Sequence, residues 1–177
     1  MKLFFILLTV IFMIFPANDG EKFAWSEDRK LSWDDFRGTP AREGGYVAST
    51  NSGISFSYSI KQDQNGWSLD YTVRSNFYPN RSWYLPEFAD AYILAHEQTH
   101  FDISELHARK FREQLSEVVA YSKVKDQIDG LYAQIEQQRR DMQQQYDLQT
   151  DHSKIREKEY QWRDLVRAQL ALYNAWK

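Results

Sequence analysis

An α+β fold follows from two observations. Residues 47–60 and 67–78 alternate apolar and polar side chains on either side of an Asn-Gly pair, and from Pro86 onward the apolar spacing becomes helical. The expected domain has an N-terminal antiparallel sheet or hairpin, then a long helix, then a C-terminal helical hairpin. With 177 residues, 42% hydrophobic and 16% aromatic, the chain has enough apolar surface for one core and is short for two.

The first residues read as a secretion signal over 1–20, leaving a single domain over 21–177. Lys2 precedes an uncharged, mostly apolar run from Leu3 to Phe15, and Pro16 and small or polar residues follow. That run is short of the roughly 20 residues that span a bilayer, so a retained anchor is the weaker reading. No A-x-A pattern precedes Glu21, and the cleavage bond is left unassigned. The expected location is periplasmic or extracellular, with no stable membrane partner.

Next comes an irregular stretch containing Gly38, Pro40, Gly44 and Gly45, ordered by Trp25, Trp33 and Phe36. Ile54, Phe56, Tyr58 and Ile60 then mark one half-buried strand, and Trp67, Leu69, Tyr71 and Val73 mark its partner across the Asn65-Gly66 turn. Pro86 suits a first helical position, Glu87 falls in the first turn, and Phe88, Tyr92, Ala95, Ile103 and Leu106 carry the stripe of a helix reaching about Val119. Val124, Ile128, Leu131, Ile135 and Met142 form the seam of a second helix whose glutamine-rich side is solvated. A third begins near Ser153 and carries Trp162, Leu165, Val166, Leu172, Tyr173 and Trp176.

The net charge of -3, with both signs scattered along the chain, provides no basic stripe for phosphates, which argues against nucleic acid as a partner. With no cysteine there are no disulfides and no thiolate ligands, so any metal must rest on His, Asp, Glu or water. The histidines are His96, His100, His107 and His152.

Three of the residues in "LAHEQTHFD", 94–102, form H-E-x-x-H. Residues four apart on a helix share a face about 6 Å apart along the axis, so His96 and His100 can bind one ion. Glu97 is offset by one position, where it can take a proton from water rather than bind the ion. His107 lies about 10 Å further along the same helix with no glycine break between, which removes it as a ligand. Glu105 points to the opposite face and is expected at the surface. His152, in "YDLQTDHS" at the junction of the second and third helices, is either a third ligand or an exposed interhelical histidine, with Asp151, Glu157 and Glu159 as competing acids. Tyr146 either donates its phenol to an oxyanion or packs its ring between helices. Asp102, Asp147 and Asp151 are candidates to fix the tautomer of a ligand histidine.

"AHEQTHFDISELHAR" and "YDLQTDHS", with "LSWDDFRGTP" and "ASTNSGISFSYS" upstream, resemble in the same order a bacterial family known as domain of unknown function 922 and described as predicted secreted zinc-dependent proteases. The resemblance implies a small zincin-like domain in which His96, His100 and the histidine of a T-x-H element, His152, hold one Zn²⁺; Ser153 stands where that element often has glycine. The function expected is an exported zinc metallohydrolase, a metallopeptidase acting on peptides or proteins with Glu97 as base. The alternatives are an exported zinc-binding helical interaction module without turnover, and a scaffold tethered by an uncleaved signal. Substrate specificity and oligomeric state are not encoded in any motif of the chain.

Overall fold

The computed structural model describes residues 20–41, 45–64 and 66–177. The segment read as a signal, apart from Gly20, and Asn65 of the expected turn lie outside the described residues. The layout is α+β, with antiparallel strands followed by three helices. The strands are β1 (Phe23–Ala24), β2 (Ala48–Ser49), β3 (Ser52–Asp63), β4 (Gly66–Phe77) and β5 (Trp83–Tyr84). The helices are α1 (Ala91–Ser116), α2 (Lys125–Thr150) and α3 (Arg156–Leu172).

β3 and β4 form a long hairpin in register from Ser52↔Phe77 to Asp63↔Gly66, and β1 adds to the far edge of β4 at Phe77 and Asn76. Period-two alternation puts Ile54, Phe56, Val73 and Tyr71 on the face that meets the helices. The strand expected over 47–60 breaks at Thr50 and Asn51. There Asn51 N–H donates to Ser82 Oγ (2.9 Å) and Tyr78 N–H donates to the Asn51 carbonyl (3.0 Å), and β2 leaves the hairpin to pair with β5.

α1 begins later than Pro86 because Asp90 caps it, its side chain accepting Ile93 N–H at 2.7 Å. α2 runs through the "YDLQT" segment to Thr150, further than its apolar seam reached. The hairpin (Ile54, Val73), α1 (Ala108, Phe111, Leu115) and α2 (Ile128, Ile135) share one core; Phe77 and Phe101 join Leu31 and Phe36 in a second, and Ile103, Tyr146, Trp162 and Val166 form a third. Each fully buried aliphatic or aromatic side chain contributes about 1.5–3 kcal/mol. Among the described residues no helix is long and apolar enough to cross a membrane.

α1 is the common wall of all three cores, and every residue from Ile103 to Arg109 is buried. The surface placement expected for Glu105 is therefore overturned: it is 3% exposed. Its Oε1 accepts Arg109 Nε and Arg112 Nη1, each at 3.0 Å. The same arginines donate to the carbonyls of Leu170 (2.7 Å), Trp176 (2.8 Å) and Val73 (3.0 Å), so one carboxylate fastens α1 to β4, α3 and the C-terminal turn. Glu105→Ala leaves the buried Arg109 and the half-buried Arg112 without their counter-charge and is expected to cost about 3 kcal/mol, read as a lower urea midpoint at unchanged slope.

His107 is also buried and donates Nδ1–H to the Ile103 carbonyl at 2.9 Å. Burial, opposed by that carbonyl and reinforced by Lys110 and Arg139, pulls its pKa down from 6.5 to about 4. A folded pKa below the unfolded one means that the unfolded chain takes up the proton first. The contribution of neutral His107 is complete above pH 6.5 and is lost as pH falls toward 4. On the order of 3 kcal/mol of acid sensitivity should disappear in His107→Leu. Urea titrations of both chelated proteins at pH 7 and pH 4.5 check this: the gap between parent and variant should change between the two pH values.

Candidate metal centre

The cap at Asp90 sets the phase of α1, and one turn separates His96 from His100, so both imidazoles face the last turns of α2. Their Nε2 atoms lie 3.2 Å apart, and Asp147 Oδ1 is 3.3 Å from the first and 3.0 Å from the second. The opposite nitrogens are occupied: His96 Nδ1 donates to Glu159 Oε2 at 2.9 Å, and His100 Nδ1 meets Gln143 Oε1. Gln143 in turn donates to the His100 carbonyl at 2.9 Å. Carboxylate and amide partners of this kind fix a ligand imidazole's tautomer and aim its free nitrogen.

The donor set suits a small cation of intermediate softness. Two imidazole nitrogens and one carboxylate oxygen at 2.0–2.2 Å from an ion would stand roughly 3.3 Å apart at the corners of a tetrahedron, close to the spacing found here. His96, His100 and Asp147 are the group whose donor atoms lie within 4.8 Å of one another. Charge agrees with geometry. Burial opposes the His96 proton, yet Asp147 and Glu159 outweigh it and raise the pKa to about 9. Burial likewise opposes ionisation of Asp147, and the two histidines hold it well below the usual carboxylate range. The same acids that hold this proton attract cations in general, and a metal binding there would have to displace it.

Glu97 is 4% exposed, and among the described residues its buried Oε2 has no hydrogen-bond partner. An orphan buried oxygen costs about 1–3 kcal/mol or more unless something binds it, so this carboxylate is set for a partner such as water in the cleft. Its backbone carbonyl accepts Thr50 Oγ–H at 3.2 Å, which ties the β2–β3 connection to α1.

Tyr146 does not face the cleft. It is fully buried, its ring stacks on His96 with centroids 4.6 Å apart, and its hydroxyl donates to Glu159. The oxyanion role weighed for this phenol gives way to support of the imidazole from behind. Burial, with Glu159 alongside, raises its pKa and keeps the phenol protonated.

Asp147, in the place expected of His152, is the residue that completes the donor group with the two histidines, because α2 continues one turn past it. His152 enters the same cleft differently. Asp151, His152 and Ser153 have φ of 46°, 52° and 70°, three consecutive left-handed residues without a glycine, each costing on the order of 1 kcal/mol. The turn is held by His152 N–H to the Asp147 carbonyl (2.9 Å), Ile155 N–H to the Thr150 carbonyl (2.8 Å) and Tyr92 hydroxyl to the Ser153 carbonyl (2.6 Å). It carries His152 Nδ1 to 3.7 Å from Asp147 Oδ1, with the ring edge-on to Tyr46.

The other sequence candidates lie elsewhere. Glu159 acts on the outer nitrogen of His96, Asp151 pairs with Lys154 (3.5 Å), and Glu157 accepts Gln161 on an exposed turn. Asp102 accepts Trp25 Nε1 (2.7 Å) and Gln98 Nε2 (2.8 Å), and its carboxyl is pushed up by burial. His107 is committed to its own helix. A signal for Asp147 existed: Gln143 and Asp147 repeat on α2 the four-residue spacing of His96 and His100 on α1, so two faces of equal period meet.

The group opens into a cleft of about 730 Å³, walled by β2 with its flanks from Gly45 to Ser52, by α1, by α2 from Arg139 to Leu148, and by the 152–154 turn. No curated protein and no solved structure matches the chain. A family model described as bacterial protein of unknown function (DUF922) matches residues 28–153, which include Glu97, the three donor residues and His152. The chain belongs to that family.

Proposed function

We propose that the protein is an exported zinc-dependent hydrolase of peptide bonds. The observation that carries this reading is the unpartnered buried oxygen of Glu97 beside a two-histidine, one-carboxylate donor group in an open cleft. A purely structural metal site has no use for such an atom, because all its polar groups are engaged.

His96, His100 and Asp147 would hold the ion, which supplies polarisation of a carbonyl and a lowered pKa for water. Glu159 and Gln143 keep both imidazoles aimed inward, and Tyr146 backs His96. Glu97 accepts the proton of the attacking water at its free oxygen and returns it to the leaving amine. β2 lies along the cleft as a wall against which an extended backbone can align, which favours a peptide over a compact ligand. His152, outside the donor group but inside the cleft, is assigned a hydrogen-bond donor's role toward the substrate carbonyl oxygen.

Glu97→Gln keeps the shape and loses the base. Zinc content should stay at parent level while turnover of a casein or peptide substrate falls by about three powers of ten or more. Equal turnover would refute the assignment. Asp147→Ala should lose zinc on dialysis at limiting metal, whereas His152→Ala should retain it and lose turnover; the reverse pattern would return the third ligand position to His152.

Export is proposed on the apolar run from Leu3 to Phe15. Mass spectrometry of protein recovered outside the cytoplasm should find a start within a few residues of Glu21. Intact Met1 on membrane-bound material would establish an anchor instead.

A further inference from the structure

Apart from the donor residues, Glu97 and His152, the charged side chains lining the cleft among the described residues are Arg139, Arg140 and Lys154, all basic. They sit on a chain whose net charge is -3, so away from the donor group the cleft wall carries charge opposite in sign to that of the molecule as a whole. The three are not equivalent. Arg139 is 12% exposed and ion-paired with Glu136 at 2.9 Å, which commits it to α2 itself. Arg140 is 56% exposed, 3.6 Å from the same, already paired Glu136, and donates to Gln137 Oε1 at 3.0 Å. Lys154 is 67% exposed and 3.5 Å from an equally solvated Asp151. Arg140 and Lys154 are thus the two cleft cations left to meet a ligand in solvent.

Their placement sets a distance. Arg140 precedes Asp147 by seven residues on α2, two turns that return to the same face, so it stands about 10 Å along the cleft from the donor group. An extended chain advances about 3.3 Å per residue, so that span covers about three residues. Lys154 follows the left-handed turn that carries His152 and lines the cleft past the C-terminal end of α2, beyond Asp147 from Arg140 in the order of the chain. Between them Leu148, exposed on the same wall, offers an apolar contact.

We propose, resting on the peptidase reading above, that the cleft selects extended peptides with acidic side chains flanking the bond to be cut, Arg140 reading one about three residues away and Lys154 one on the opposite flank. Solvated ion pairs of this kind discriminate modestly and lose strength in salt, so the preference is a gradation in affinity and not an absolute requirement.

The test uses the full chain as zinc-loaded Glu97→Gln, with zinc content verified, so that binding is read without cleavage. Decapeptides with a central Ala-Leu carry Glu, Gln or Lys three residues away on one flank or at each of the first three positions on the other, in both orientations, and affinities are measured by fluorescence anisotropy at low salt. The Glu peptides should bind about fivefold tighter than the Lys peptides per flank. Adding Arg140→Glu should reverse the preference at one flank, Lys154→Glu should reverse it at the other, and Arg167→Glu, on α3 outside the cleft, should change neither. Equal affinities for the Glu, Gln and Lys peptides would overturn the inference while leaving a peptide-binding cleft in place. So would an Arg167→Glu effect as large as that of Arg140→Glu, which would make the preference one of net charge. Failure of every peptide to bind would overturn the peptidase reading and the selectivity with it.

Discussion

A helix with no solvated face must satisfy internally every polar side chain it carries, and α1 is such a helix from Ile103 to Arg109. The rest of the molecule is arranged around that demand. The hairpin covers one side, α2 a second and α3 a third, and each returns a polar partner along with its apolar residues. Glu105 is answered by Arg109 and Arg112, which also cap carbonyls of the hairpin, α3 and the C-terminal turn. The donor group extends the same logic toward the N-terminal end of α1. His96 and His100 are enclosed by α2 and α3 at the point where the walls part to form the cleft. Because α1 is held on every side, the two imidazoles have little freedom to drift, and rigidity of this kind is what a ligand pair requires.

Enclosure also explains the electrostatics. His96, Asp147, Glu159, Tyr146 and Arg163 form a chain of contacts in which each charge has a neighbour of opposite sign or a hydrogen-bond donor. Glu159, with no exposure to solvent, would be untenable alone. With Arg163 Nε at 2.7 Å and His96 Nδ1 at 2.9 Å it stays ionised, its pKa lowered by those partners against the effect of burial. Glu97 stands apart from the chain, one oxygen left without a partner. The contrast separates an acid engaged in supporting the donor group from one with an oxygen left open toward it, although the two carboxylates are chemically alike.

Much of this was legible in the sequence, and the parts that were not share a cause. Period-two and helical spacing located the hairpin and three helices, and the H-E-x-x-H spacing located His96, Glu97 and His100, because local geometry alone decides those relations. What depended on packing between elements was hidden. Glu105 looked like a surface acid because an isolated helix has a solvated face and α1 does not. Asp147 entered only as a possible partner to an imidazole, since its approach to both histidines depends on α2 running to Thr150, beyond the apolar seam that marked the helix. Tyr146 offered a phenol whose direction no spacing could reveal. The left-handed turn at 151–153 was masked more fully, because its sequence, Asp-His-Ser, has no glycine to announce it.

That turn and α3 show how support for the site is divided. The family match ends at Ser153, so the histidines, Glu97, Tyr146, Asp147 and His152 fall inside it, while Glu159 and Arg163 fall beyond it. Yet Glu159 is the residue that orients His96 and receives the Tyr146 hydroxyl, and Tyr92 on α1 binds both the Ser153 carbonyl and, through its own carbonyl, Arg163. α3 is therefore the brace of the donor group as well as a lid on the third core. The strained turn, held from Thr150, Asp147 and Tyr92, is the joint through which that brace is registered against α1. Strain of a few kcal/mol can persist there only because the packed elements on both sides fix its ends. The backbone that aims His152 into the cleft and the helix that aims His96 toward Asp147 are consequently held by one continuous set of contacts.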